Sequence, residues 1–303
     1  MKIIIRADDV GYTDVCNIGA FEAIEGGLVS AADVMLDTPG AKDALLRLKE
    51  MPWISTGWHT HFWGSPVLDP DKVPSLFDRK TGHFRTDIAK AQDVVFEEIL
   101  AECRAQMEMC VSILGKPLDT ATTAGLNDST PFSRAVKQVC DEYGLPYNYC
   151  YKKSRDKITG EPLESFPDEK WADRKCYCLN PGPAYGALFT DSLTECEKYD
   201  PASYYIDDRQ AMGDYPADAV LEQSWHPGYP DWYVYHLGDQ GPNARNFILA
   251  RIMDVEALTS DRLKQWVIDN KIELVNFRDA LYGTCDYQRH LYNVGSPLCM
   301  IGK

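Results

Sequence analysis

The feature that most narrows the fold is an alternation. Short apolar runs, each followed by an amphipathic stretch, return about every 30 residues, the length of one strand-helix unit of a parallel sheet. Lys2 to Ala7 is an apolar, β-branched run that stops at Asp8-Asp9-Val10-Gly11, where carboxylates and glycine break it. From Thr13 the apolar positions Val15, Ile18, Ala20, Phe21 and Ile24 recur at helical spacing, with Thr13 or Asp14 placed to cap the start and Gly26-Gly27 to end it. Leu28 to Leu36 reads as a second strand, Gly40 to Leu48 as a helix and Trp53 to His59 as a third strand. The strongest helix is Asp93 to Leu114, where Phe96, Ile99, Cys103, Met107, Cys110 and Leu114 form one apolar face ahead of Gly115. Leu118 to Thr123, Ser133 to Tyr143 and Pro146 to Tyr151 continue as strand, helix and strand. From Lys152 to about Tyr215 the pattern dissolves into charged, Pro- and Gly-containing sequence, read as a long insertion over one face. Strands return at Ala219 to Trp225 and Ile272 to Phe277, with helices within Asn246 to Leu258 and from Ser260 to Asn270. No repeat or linker divides the chain, so one α/β domain spanning 1–303 is expected, and its length favours a (β/α) barrel over a small doubly wound sheet.

Charge then limits the partners. Lys plus Arg number 31 against 46 Asp plus Glu, a formal net charge of −15, which repels phosphate backbones and anionic membrane surfaces, so neither nucleic acid nor membrane is expected as a partner. No apolar run approaches the ~20 residues of a membrane span, and Met1-Lys2-Ile3-Ile4-Ile5-Arg6 is too short for a signal sequence. The expected location is therefore cytoplasmic, with the ten cysteines as reduced thiols and the Asn127-Asp128-Ser129 sequon unused.

Catalytic groups of α/β folds collect where strands end, and three such places carry the right side chains. Asp8-Asp9 follows the first strand, His59-Thr60-His61 the third, and His226 the run Ala219 to Trp225. Adjacent carboxylates repel unless a cation relieves them, and a metal would make one a ligand and the other a base; a turn or cap pair is the plainer reading. His59 and His61 are two apart, which on a strand leaves them about 6.6 Å apart on one face, within reach of one divalent ion. His61 could equally hold substrate. Trp225 to Tyr235 holds five aromatic residues in eleven around Pro-Gly and Pro-Asp, a loop suited to stacking on flat sugar faces beside His226, itself a candidate general acid or base. Cys176 and Cys178 lack a partner pair for zinc, and His83, His236 and His290 read as surface or local bonding residues. No G-x-G-x-x-G, P-loop or G-x-S-x-G motif occurs.

Four separated motifs then carry a family resemblance: Ala7-Asp8-Asp9-Val10-Gly11, Gly57-Trp58-His59, Gly64-Ser65-Pro66-Val67, and Glu222 followed by His226-Pro227-Gly228-Tyr229. In these the chain resembles the YdjC-like carbohydrate deacetylases, also called the ChbG/HpnK family, over roughly 1–150 and 216–282. The resemblance implies a distorted (β/α) TIM-like barrel that removes an N-acetyl group from an amino sugar with one divalent ion, zinc, magnesium or another transition metal. It implies Asp8 as general base, Asp9 and His59 as metal ligands, and His226 as the acid that protonates the departing amine. The family's third ligand comes from a histidine-rich stretch after a G-x-P; here Gly115-Lys116-Pro117 leads into Leu118 to Gly125 with no histidine. His61 is the candidate replacement. Arg6 stands where a small polar residue is usual and places a fixed positive charge beside the aspartates, where it could partly substitute for a metal or bind an acidic substrate group.

The expected activity is therefore hydrolysis of a C–N amide bond, with Arg6, Trp63, Trp225, Tyr229 and Trp232 as substrate contacts. Two other readings stand beside deacetylation of a sugar. One is hydrolysis of a cyclic amide or other non-sugar substrate with weak or no metal dependence; the other is a noncatalytic carbohydrate-binding protein. The partner is a small molecule, and the sequence leaves open whether copies form a homo-oligomer.

Overall fold

The computed structural model describes residues 1–121, 126, 128–155, 162–179, 194, 197–208, 211–237 and 244–302. Its centre is a curled, mostly parallel sheet of nine strands: β1 Lys2–Val10, β2 Ala31–Val34, β3 Ser55–Trp58, β6 Thr120–Ala121, β7 Cys150–Arg155, β8 Pro162–Ser165, β9 Cys176–Cys178, β10 Val220–Trp225 and β11 Glu273–Leu274. Between β3 and β6, β4 Phe77–Asp78 and β5 His83–Phe84 form a separate antiparallel hairpin. The neighbour order is β6-β3-β2-β1-β10-β9-β7-β8, with β11 also on β1 and only β7–β8 antiparallel. With helices outside the curl, this is the distorted (β/α) barrel that the alternation and the resemblance lead one to expect.

The helices start and stop for local reasons. Thr13 caps α1 (Asp14–Glu25) by accepting from Cys16 N–H, and Pro131 opens α4 (Pro131–Tyr143) behind a Thr130 cap. Helix α3 (Phe96–Leu114) ends at Gly115, whose φ of +77° would strain any other residue. With α2 (Ala41–Lys49), these helices pack their apolar faces on the outward side of β1, β2 and β3, burying Ile3, Ile5, Phe21, Leu45, Ile99 and Met107 in the main core.

Several boundaries differ from the sequence reading. The first strand runs on through Asp8 and Asp9 to Val10, the second and third expected strands shrink to β2 and β3, and the fifth keeps its length but starts four residues later, as β7. Ile272 to Phe277 keeps only the two residues of β11, because Asn276 caps the helix that follows. The stretch 152–215 is more than an insertion: β9 within it pairs with both β10 and β7 and so belongs to the barrel. Cys176 and Cys178 are ordinary members of that strand, and the described cysteines are free thiols. Asn127, the 122–125 part of the histidine-less stretch, and 156–161, 180–193, 195–196 and 209–210 of the insertion lie outside the described residues. Among the described residues no helix is long and apolar enough to cross a membrane.

Candidate active site

Period-two alternation sends Ile4, Arg6 and Asp8 of β1 to the inside of the curl. Register places Glu222 opposite Ile4, and Ala31 and Ser224 opposite Arg6, so Asp33, Gly57 and His59 follow on the same face. Asp9 should then point outward, but β1 carries a bulge between Ala7 and Val10 and Asp9 has φ +58°. The extra residue lets both neighbouring aspartates reach the interior. Gly57 is required here, since a Cβ on it would stand 1.9 Å from Asp33 Oδ1.

Two arginines organise the carboxylates. Arg6 donates from Nε to Asp8 Oδ1 (2.5 Å) and from Nη2 to Asp8 Oδ2 (3.0 Å), bonds Glu222 through Nη1, and lies 3.2 Å from Asp33 Oδ2. From α5 (Ala244–Thr259), Arg251 Nη2 donates to Asp9 Oδ2 at 2.6 Å. His59 Nε2 is 2.8 Å from Asp9 Oδ1, and His226 Nε2 is 3.9 Å from Asp8 Oδ2. All four carboxylates and both arginines are at most 9% exposed. Four buried carboxylates against two guanidinium groups leave a formal excess of two negative charges, which a divalent cation or protonated histidines would balance.

The proton affinities follow from this crowding. Burial works against the charged forms of Asp8 and Asp9, but Arg6 for the first and Arg251 with His59 for the second hold both below the usual carboxylate range. Burial likewise opposes His59, yet Asp8, Asp9 and Asp33 outweigh it and raise its pKa. For His61 burial and the neighbouring His59 win, lowering it to about 3. His226 falls to about 4, chiefly by burial, in spite of Asp9 and Asp8.

The donor set fits a divalent ion at one of two places. Asp9, His59 and His61 each offer an atom within 4.8 Å of the others, as do Asp8, Asp33 and His59. In the second group the Arg6 guanidinium already bridges Asp8 and Asp33, so the cation there is supplied by the chain. The first group keeps Asp9 Oδ1 turned to His59 while Arg251 holds only Oδ2, and a neutral His61 is the form that binds metal.

Buried carboxylates also pin the loop that carries His61. Asp37 Oδ2 accepts Gly64 N–H (2.6 Å), and Glu102 accepts Val67 and Leu68 N–H. Burial lifts Asp37 to about 6 against the pull of Gly64 N–H. On this loop the His61 ring meets His59 edge-on at 4.2 Å and stacks on Trp63 at 4.0 Å, and Trp63 lies 6.3 Å from Tyr12. The loop's other side, with Thr38, Lys42, His83 and Tyr233, borders a cleft of about 910 Å³.

The structure therefore brings together Arg6, Asp8, Asp9, His59, His61, Trp63 and His226. Three of the expected substrate contacts stand elsewhere. Trp225 is opposite Ala7 on the outward face of its strand, 2% exposed, stacked on Tyr205 and donating to its hydroxyl. Tyr229 turns to α1 and donates to Glu22. Trp232 is 72% exposed, with its ring against Tyr235 and His236. Arg6 is placed as a partner of carboxylates rather than of substrate. The sequence reading did not single out Asp33, Arg251 or Asp254, and gave Glu222 no role. Each is a charge inside an otherwise apolar run, which was the available signal.

The chain matches the family described as YdjC-like protein over residues 2–269. It is 28% identical to a carbohydrate deacetylase of Brevibacillus brevis, covering 92% of this chain and 99% of that protein. A carbohydrate deacetylase of Mus musculus is 24% identical, with 92% and 94% covered. Among solved structures, an Enterococcus faecalis V583 protein named for cellobiose-phosphate cleavage superposes with a TM-score of 0.62 at 22% identity, covering 92% of this chain and 98% of that one. That likeness shows the fold.

Proposed function

The chain belongs to the YdjC-like family, and from that premise and the geometry of its site we propose that it hydrolyses the acetamide of an N-acetylated amino sugar to acetate and a free amine. The observation that carries the reading is the pairing of Asp8 with His226 beside the three-donor group Asp9, His59 and His61. The names of the carbohydrate deacetylases it resembles supply the substrate class. The same reading takes the chain as one barrel domain whose 152–215 stretch shapes specificity.

A divalent ion held by Asp9, His59 and His61 would supply Lewis acidity toward the carbonyl and a more acidic water. The chain's own groups do the rest. Asp8, fixed by two bonds from Arg6, accepts the proton of the attacking water on Oδ2. His226 is neutral before reaction, so the proton passes across the 3.9 Å gap to its Nε2 and from there to the departing nitrogen. Trp63 stacks on His61 beside the three donors, while the 910 Å³ cleft lies on the other side of the loop and is lined by none of Asp8, Asp9, His59, His61 and His226. A weakly metal-dependent hydrolase of a cyclic amide is favoured by one observation, the Arg251 cation already bonded to Asp9.

Acetate release from a panel of N-acetylated sugars, run beside cyclic amides and with chelator-treated protein, tests the reading. Sugar turnover that falls about 10³-fold in Asp8→Asn, with unchanged folding, is expected. Undiminished turnover in that variant would sink the mechanism, and turnover of cyclic amides alone would replace the substrate.

A further inference from the structure

Helix α5 carries two buried charges one turn apart, and they reach opposite halves of the site. Arg251 is 2% exposed and holds Asp9 on the metal-ligand side. Asp254 is 3% exposed; its Oδ2 accepts the backbone N–H of His226 at 2.8 Å and its Oδ1 accepts the Tyr199 hydroxyl at 2.9 Å. Gly228 N–H also donates to Arg251 O at 3.4 Å, so both ends of the His226-Pro227-Gly228 turn rest on this helix. Residues three apart lie on one helix face, so their spacing is fixed by the helix rather than by either loop.

The local chemistry explains why an acceptor is needed there. Strand β10 ends at Trp225, so the His226 N–H lies past the strand, and Pro227 has no N–H to offer. A buried N–H without an acceptor is costly, and Asp254 supplies the acceptor. Tyr199 belongs to the 152–215 stretch and packs on Tyr204 and Ala250. One carboxylate thus ties that stretch to the turn that presents His226.

We propose that α5 is the mount that sets the separation of Asp9 and His226, with Arg251 and Asp254 as positioning residues and Tyr199 as the link from the 152–215 stretch to the acid histidine. Neither α5 residue needs to touch substrate: Arg251 acts through Asp9, and Asp254 through the main chain of His226. The kinetic consequence rests on the deacetylase reading, whereas the geometric one does not.

Tyr199→Phe removes only the hydroxyl, Asp254→Asn keeps an acceptor for the His226 N–H, and Asp254→Ala keeps none. Two readouts are taken on each full-length variant: kcat and KM on the N-acetylated sugar turned over fastest by the wild type, and the imidazole NMR signals of His226 and His290. His290, stacked on Trp53 at 3.8 Å, serves as the remote control. Tyr199→Phe is expected to lower kcat about three- to tenfold with KM within about twofold. Asp254→Ala is expected to lower it about 100-fold, and Asp254→Asn to recover most of that loss. The His226 signal moves in all three and the His290 signal in none. An unmoved His226 signal with unchanged kcat overturns the proposal, as does an Asn variant no better than Ala with both histidines shifted. If Asp254→Ala does not fold, Tyr199→Phe decides. If the wild type turns over no acetylated sugar but His226 alone responds, the mount stands and the deacetylase reading falls.

Discussion

The inside of the barrel has two ends built from the same strands, and they could hardly differ more. Toward the start of the strands, Ile4, Ala31, Cys176 and Val220 pack with Tyr149 and Phe277 into a closed apolar cluster. Two residues further along the same face stand Arg6, Asp33 and Glu222, and beyond them Asp8, His59 and His226. Parity is identical at both ends, and so is burial: Ile4 and Asp33 are each 0% exposed. The floor gains stability by removing apolar surface from water, while the mouth spends some of it on charges that must neutralise one another. The arginines are therefore structural at the mouth in the sense that Ile4 is at the floor, and the comparison can be broken by exchanging one at a time.

Arg6→Met is expected to have the largest effect on stability. It leaves Asp8, Asp33 and Glu222 buried together without their shared cation, at a cost of about 3–5 kcal/mol. Urea unfolding measures it, and an unmoved midpoint would show that these carboxylates are balanced by something other than Arg6. Ile4→Ala at the floor should cost somewhat less, about 3 kcal/mol, while kcat per folded molecule stays at the wild-type level. A large fall in kcat would show that floor and mouth are coupled. His61→Ala tests the ligand set and should scarcely touch stability. Elemental analysis of the wild type should give about one divalent ion per chain, with affinity in the variant lower by at least about tenfold. Unchanged binding in the variant would remove His61 from the ligands.

How much of this could be read beforehand depends on what each residue had to signal. The opening strand, α1 with its Thr13 cap and α3 with its Gly115 stop are local patterns, and the structure reproduces them to within a few residues. Asp8, Asp9, His59 and His226 announce themselves by standing at strand ends. Trp225 differs from its expected place because aromatic density does not state parity: position 225 faces outward with 221 and 223, while 222, 224 and 226 face inward. Arg251 and Asp254 carry no such mark, because a helix of mixed apolar and charged residues looks amphipathic whichever face is buried. Asp9 is a subtler case. Strict alternation would have put it outside, and only the bulge with φ +58° brings it in, a feature no periodicity count contains.

Asp37 offers the most specific effect, because it supports the mouth without belonging to it. Its carboxylate accepts Gly64 N–H at 2.6 Å, which favours the charged form, yet burial prevails and lifts its pKa to about 6, against about 3.9 in an unfolded chain. The native state thus takes up a proton at a higher pH than the unfolded one. Above pH about 6 the native state bears the full cost of the buried carboxylate; as pH falls from about 6 to about 4 that cost is relieved, and below both values no further change comes from this group. Asp37→Asn keeps the oxygen that accepts from Gly64 and removes the charge. Its stability relative to the wild type should therefore be greatest near pH 7 and decline toward pH 4, by about 1–2 kcal/mol after allowing for relaxation around the site. Urea unfolding of both proteins across that range measures the difference. A difference independent of pH, or one that grows on acidification, would mean that Gly64 N–H and the rest of the loop hold Asp37 ionised, so that the loop bearing His61 and Trp63 is anchored by a charge after all.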